Sequence, residues 1–299
     1  MRKLRILVTG ANGMLGQRII EFYSANKNVE LLGSSFEEKS VIDGIPYISL
    51  DLTDKKAVKK VVTEFYPDVI IHTAAYTNVD KCESDKEAAY STNVNAVEYL
   101  AKYGKITQAK IIHLSTDYVF DGNSGPYTEE DRPEPIGYYG RTKLAGENAL
   151  KASGVKHAVI RTNVLYGVAR HGRQDFVKWV VNSLKDEKPI RIVNDQINNP
   201  TFIDDLVSAI SGIIEFDKSG VYNIGGSEFL NRYQFTLRIA DYFGLDKSFI
   251  SEITTAELNQ PAPRPLKSGL VILKAETELG YKPRTIEESL SLMRKELQL

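Results

Sequence analysis

Residues 8–16 read VTGANGMLG, with glycines at 10, 13 and 16. An apolar run, LRILVT, precedes them, and MLGQRIIEFYSA follows with Leu15, Ile19, Ile20 and Tyr23 at helical spacing. The stretch therefore reads as a strand, a glycine turn and the start of a helix. Glycines in that turn allow a tight bend and a close backbone approach to a pyrophosphate, with the helix N-terminus aimed at the anion. The spacing is one residue wider than the usual dinucleotide fingerprint. Three glycines alone also serve turns that bind nothing. Their place after a first strand favours a cofactor loop formed by Gly10, Asn12, Gly13, Met14, Leu15 and Gly16.

Outward from this turn, short apolar runs alternate with helical patterns. VELLGSS, YISLDL, DVIIHTAA, KIIHLSTDYVF and HAVIRTNVLYG read as strands. DKKAVKKVVTEFY, a long segment from Cys82 to Tyr103, and YYGRTKLAGENALKA read as helices. Such alternation implies an α/β fold, a Rossmann-like doubly wound parallel sheet with helices on both faces. After Gly167 the rhythm degrades. One further helix is expected within 170–188, others near 203–216 and 231–243, and a last one in TIEESLSLMRKEL. The expected division is a cofactor domain over 1–168, rejoined by about 197–225, and a smaller mixed α/β substrate lobe mainly in 169–299.

The chain has 299 residues, 42% hydrophobic and 26% charged, with a formal net charge of -1. Near-neutrality argues against nucleic acid as a partner. No apolar run approaches the ~20 residues of a membrane span. The charged start MRKLR leads into a strand rather than a signal peptide. A single cysteine, Cys82, fits the reducing cytoplasm, and its acidic neighbours make it a poor nucleophile. Four histidines without paired spacing argue against structural zinc. His72, inside an apolar strand, reads as a satisfied core residue. Nothing in the residues supports a metal, and an assisting Mg²⁺ is left open.

At the end of the second strand, NAD sites often carry an acid that receives the ribose 2′-hydroxyl. Here the residues are Gly33, Ser34 and Ser35, with Glu37 already past Phe36. Ser34 and nearby Lys39 suit a 2′-phosphate, which leans to NADP(H) over NAD(H). Asp51, ending the third strand, is placed to accept from an adenine amine, or else serves a helix cap.

The chemistry is expected in 138–143, YYGRTK. Tyr139 and Lys143 share a helix face at i and i+4. An ammonium beside the phenol lowers its pKa from about 10, and three units of lowering needs roughly 4 kcal/mol. A phenol so placed exchanges a proton with a carbonyl or alcohol oxygen. With 16 tyrosines the spacing also arises by chance, as in Tyr23/Lys27, which reads as surface decoration. Tyr139/Lys143 differs because it follows a strand ending in Ser115 and Thr116, where open sheets bind ligands. Either hydroxyl there is able to hold the oxygen that Tyr139 protonates. Tyr138 points about 100° away around the helix.

TGANGMLG, HTAAYTNVDKCESD, LSTDYVFDG, YYGRTKLAGE and IRTNVLYG together resemble the extended short-chain dehydrogenase/reductases, and among them the dTDP-4-dehydrorhamnose reductases. DQINNPT and PRPLKSGL extend the resemblance into the second half. It implies an NAD(P)H-dependent reductase of a 4-keto-6-deoxy sugar nucleotide, with Thr116, Tyr139 and Lys143 as triad. Cofactor contacts are implied from Asp51, Leu52, Ala74, Ala75 and Tyr76, and sugar contacts from Thr116 and Asp117. The family's usual tryptophan near the sugar is Val164 here. Asp175 stands for an asparagine, Asn198 for a glycine that would need a left-handed turn, and Val271 for an aspartate. Arg170, Arg173 and Arg264 are candidates for a diphosphate. A sugar nucleotide is the expected partner, and a homodimer is compatible. The alternatives are a non-catalytic NADP-binding subunit like that of methionine adenosyltransferase, or an epimerase or dehydratase on the same fold.

Overall fold

A computed structural model describes residues 2–172 and 174–297. Seven parallel strands form the central sheet. β1 (Leu4–Thr9), β2 (Val29–Ser35), β3 (Tyr47–Ser49), β4 (Val69–His72), β5 (Lys110–Thr116) and β6 (His157–Thr162) are joined by a last strand, Gly220–Ile224. The spatial order is β3-β2-β1-β4-β5-β6 and then Gly220–Ile224. The order reverses between β1 and β4, so a crevice opens there at the strands' carboxyl ends.

Period-two alternation decides which face each residue serves. Ile6, Val8, Ile71, Ile112 and Ile160 join one core, and Leu7, Ile70, Ile111 and Val159 the other. Helix α1 (Met14–Ser24) puts Ile19 and Ile20 into the first core, beside Leu206 and Ile210 of helix Ile203–Glu215. Tyr23 is 5% exposed and belongs to this core, so it is not surface decoration. The second core receives Val58 and Val62 of α2 (Lys55–Phe65). The Asp54 carboxylate caps α2, accepting from the amides of Lys56 and Ala57.

The long helix expected from Cys82 is interrupted. Asp85 leaves helical geometry, splitting α3 (Val79–Ser84) from α4 (Lys86–Tyr90). A π turn, Ser91–Asn95, then leads into α5 (Ala96–Thr107). Helix α6 (Tyr138–Ser153) begins where the Glu83 carboxylate accepts from the Tyr138 amide at 2.7 Å, and it ends at left-handed Gly154. Beyond β6, short pairs cover the strand ends: Ile190–Val193 with Ile250–Ile253, Ile197–Asn198 with Leu230–Asn231, and Thr201–Phe202 with Leu165–Tyr166. Asn198 lies in one of these strands and needs no left-handed backbone.

A buried ion pair locks α6 to the sheet. Arg161 of β6 donates to both carboxylate oxygens of Glu147, at 3.1 and 2.7 Å, and Ser115 of β5 donates at 2.5 Å. All three are at least nine-tenths buried. Removing one member leaves an uncompensated buried charge, a loss typically of about 3–5 kcal/mol. Arg161→Met should therefore lower unfolding stability by about that amount, read from the denaturant midpoint at unchanged m-value.

Candidate active site

The β1–α1 turn is built for close approach. Gly10 has φ +74°, and a Cβ there would lie 2.7 Å from the Ala74 amide nitrogen. A Cβ on Gly16 would overlap the Gly10 carbonyl oxygen. No side chain caps Gly13, and the first turn of α1 holds no acid. The positive end of the helix is thus left for an external anion. Those two features, a cradle that side chains would fill and an uncapped helix start, fit a dinucleotide pyrophosphate. Gly10, Gly13, Met14, Leu15, Ser34, Asp51, Leu52, Ala74 and Ala75 line a cavity of about 570 Å³. Gly16 lies outside this lining and packs against Gly10 and Ala11. Tyr76 also stands off the cleft; its backbone is held by buried Asn93 of the π turn, which also donates to Thr142 of α6.

This cavity runs into one of about 700 Å³ lined by Asn12, Thr116, Asp117, Tyr139, Lys143 and Val164. The proposed triad is therefore brought together around one space. Thr116, at the end of β5, faces the same space as the Tyr139 phenol and donates to Asp117 Oδ1 at 3.0 Å. The Tyr118 ring meets Tyr139 edge-on at 5.8 Å. Tyr138 faces elsewhere, with the Lys86 ammonium 5.4 Å over its ring. Ser115 is not a second oxygen-holding hydroxyl, because its proton is committed to Glu147.

The electrostatics differ from the expected lysine-lowered phenol. Burial and the nearby Asp117 push Tyr139 up, well above the ordinary value of 10. Burial also lowers Lys143 to about 8, partly opposed by Glu147. The protein's own groups thus keep the phenol protonated at neutral pH, because desolvation and the neighbouring Asp117 carboxylate both disfavour the phenolate. Burial raises Asp117 to about 6, despite hydrogen bonds from Ser268 (2.5 Å) and Thr116. Beneath them His72 and His113 stack at 5.2 Å, both fully buried. His72 Nδ1 meets Thr9 Oγ1 at 2.7 Å, but Nε2 has no partner, so this histidine is only half satisfied.

A third space, about 850 Å³, continues from the second through Tyr118, Phe176 and Arg232. Trp179, Arg191 and Gln196 also line it. Sequence reasoning missed Arg232, although its helix start was readable from the Asn231/Gln234 capping box. What the pattern could not show is that Arg232 stacks on Phe176, 5.1 Å from its ring, facing the cleft. Arg264 lines this space but is held by both carboxylate oxygens of Asp80. Arg170 is exposed and paired with Glu21. Arg173 lies outside the described residues. Asp175 replaces asparagine without loss of the cap, accepting from the amides of Lys178 (2.7 Å) and Gly167 (2.9 Å). Val271 acts through its backbone, donating to the Tyr127 carbonyl. Cys82 is buried and its thiol is pushed up to about 11, first by burial and then by Glu83 and Asp85. Among the described residues no acid, histidine or cysteine cluster suits a metal, and no helix is long and apolar enough to cross a membrane.

Lys143 is 2% exposed, and holding its charge at pH 7 against a pKa of about 8 rather than 10.5 costs the fold on the order of 3 kcal/mol. Lys143→Met should therefore stabilise the protein while removing turnover. A lowered lysine penalises the fold fully below its folded value. The gain should be complete below pH 8 and fade between about 8 and 10.5, as read from urea midpoints across that range.

The RmlD substrate binding domain matches residues 4–299. The dTDP-4-dehydrorhamnose reductase of Aggregatibacter actinomycetemcomitans is 34% identical over 302 residues, covering 97% of this chain and 98% of that one. A solved dTDP-4-dehydrorhamnose reductase of Bacillus anthracis in complex with NADP is 30% identical, with a TM-score of 0.88 over 98% of this chain and 99% of that one. Methionine adenosyltransferase 2 subunit beta of Rattus norvegicus is 34% identical over 297 residues, 96% of this chain and 87% of its own. With the match running from β1 to the last residue, and the strand order and cleft of a dinucleotide fold beneath it, the chain belongs to the RmlD substrate binding domain family.

Proposed function

We propose that the chain is an NAD(P)H-dependent reductase of a 4-keto-6-deoxy sugar nucleotide, with dTDP-4-dehydrorhamnose as the foremost substrate and dTDP-rhamnose as product. One observation carries this reading: Thr116, Tyr139 and Lys143 converge on a space continuous with the glycine cradle on one side and an arginine-bearing cleft on the other. The cofactor would rest on Gly10–Leu15, Asp51, Leu52, Ala74 and Ala75, and when bound it supplies hydride. The Thr116 hydroxyl turns from Asp117 to hold the keto oxygen, and Tyr139 donates its proton as that oxygen gains charge. A phenol kept protonated suits this direction, since the forming alkoxide is a far stronger base than a phenolate. Lys143 holds the ammonium near the phenol and the ribose. Asp117 and Val164 lie beside the sugar position, and Arg232 with Trp179 suits a nucleoside diphosphate. Phe176 lines the same space as Val164 and offers the aromatic surface that the valine lacks. The working division assigns 1–168, rejoined by 197–225, to cofactor and mainly 169–299 to substrate.

A second reading, a non-catalytic regulatory subunit, is favoured by the 34% identity to the rat subunit beta. Turnover separates the two. Purified protein should oxidise a reduced nicotinamide cofactor with dTDP-4-dehydrorhamnose and not with dTDP-glucose. Tyr139→Phe should cut kcat by roughly 10²–10⁴ with cofactor affinity nearly intact, while Tyr138→Phe stays close to wild type. No oxidation with any 4-keto sugar nucleotide would favour the subunit. Retention of more than about a third of kcat in Tyr139→Phe would remove that residue from the role.

A further inference from the structure

No carboxylate ends β2, yet the structure brings one to the glycine cradle from two residues beyond the strand. The chain turns outward at Phe36, 76% exposed, and brings Glu37 back over the glycine turn. Glu37 Oε2 accepts from Asn12 Nδ2 at 3.2 Å, and the Glu37 carbonyl accepts from the Tyr47 hydroxyl at 2.6 Å. Asn12 fastens the same segment twice more, donating to the Lys39 carbonyl at 2.9 Å and accepting from the Val41 amide at 3.0 Å. Glu37 thus lines both the cradle and the catalytic space, alongside Gly13, Met14 and Leu15.

Ser34 and Lys39, the groups expected to receive a 2′-phosphate, do not offer it a free donor in the cavity. Ser34 is 1% exposed and its hydroxyl donates to the Val8 carbonyl. Ser35 Oγ accepts from the Asn12 amide at 3.0 Å. Lys39 is not among the lining residues, and the described lining of this cavity holds two acids, Glu37 and Asp51, with no lysine or arginine. Asp51 is occupied by the Thr53 amide and hydroxyl. Among the described residues, Glu37 keeps one carboxylate oxygen without a donor.

We propose that Glu37 selects the unphosphorylated dinucleotide: its carboxylate receives the adenosine ribose hydroxyls of NADH and repels the 2′-phosphate of NADPH. An acid ending the second strand acts this way in many dinucleotide folds; here the acid stands two residues later and is folded back by Asn12. A 2′-phosphate carries close to two negative charges at neutral pH, so it meets like charge with no lysine or arginine in the described lining of the cradle to offset it. The inference rests on the reading of this cleft as a dinucleotide site. It sets this chain apart from the Bacillus anthracis relative solved with NADP.

The test is calorimetric binding to the full chain, without sugar substrate. NADH should bind at least roughly tenfold more tightly than NADPH, and AMP more tightly than adenosine 2′,5′-bisphosphate. Glu37→Gln should shrink the NADH/NADPH ratio about tenfold, and Glu37→Arg should invert it. Wild-type protein that binds NADPH as tightly as NADH would overturn the proposal, as would a ratio unchanged in Glu37→Gln. Binding of neither dinucleotide would overturn it together with the proposed function. Tight NADH binding without turnover of any keto sugar would sink the reductase reading alone and leave the role of Glu37 standing.

Discussion

Everything at the catalytic end depends on where α6 lies against the sheet, and a buried ion pair decides that. Glu147 reaches into the interior and meets Arg161 from β6 and Ser115 from β5. Each strand thereby holds the same helix, one turn beyond Lys143. Thr116 follows Ser115 directly, so the bond that fixes the helix also fixes the strand end opposite Tyr139. Hydrophobic contacts along the rest of α6 tolerate small shifts, but a fully desolvated carboxylate with two donors does not. Glu83 completes the restraint from outside, taking the first amide of α6.

With the helix placed, the remaining design accepts local cost for chemistry. A lysine with almost no exposure, a phenol pushed away from ionisation and an aspartate held near 6 sit around one space. Each shift has burial as its first cause. Protein packs closely behind these groups, and the strap that carries Arg264 and Ser268 is fastened to Asp80 and Asp117. Low dielectric strengthens each interaction made with a bound ligand and penalises each charge carried without one.

The sheet was legible because its signals are local. Unbroken apolar runs mark strands covered on both faces, and glycines at 10, 13 and 16 mark the turn. Tyr139 and Lys143 were legible because i and i+4 spacing survives in any helix. What escaped reading depends on direction or on distant partners. Glu37 lies past the strand end in sequence, yet hydrogen bonds from a side chain 25 positions earlier return it to the cleft. Arg232 opens an ordinary capped helix, and only tertiary placement aims it at Phe176. Tyr23 was misread because it ends a helix, where exposure is common, although a second helix, Ile203–Glu215, covers it. The π turn at Ser91–Asn95 has no composition of its own; Asn93 needs it in order to reach Tyr76 and Thr142 together. Resemblance to relatives implied the proposed triad but carried no information on phenol or lysine ionisation, which depends on burial.

The edge strand Gly220–Ile224 bears on how the protein is made. Its partner β6 leaves the ribosome long before it, since the helices Phe176–Lys185 and Ile203–Glu215 are synthesised in between. At roughly 5–20 residues per second, the outer edge of β6 waits several seconds for its neighbour. During that time a nascent six-stranded sheet presents unpaired amides and carbonyls flanked by Val159 and Ile160, a template for pairing with another nascent chain. Crowded polysomes would make that interval the hazardous one, and slower decoding ahead of Gly220 would lengthen it.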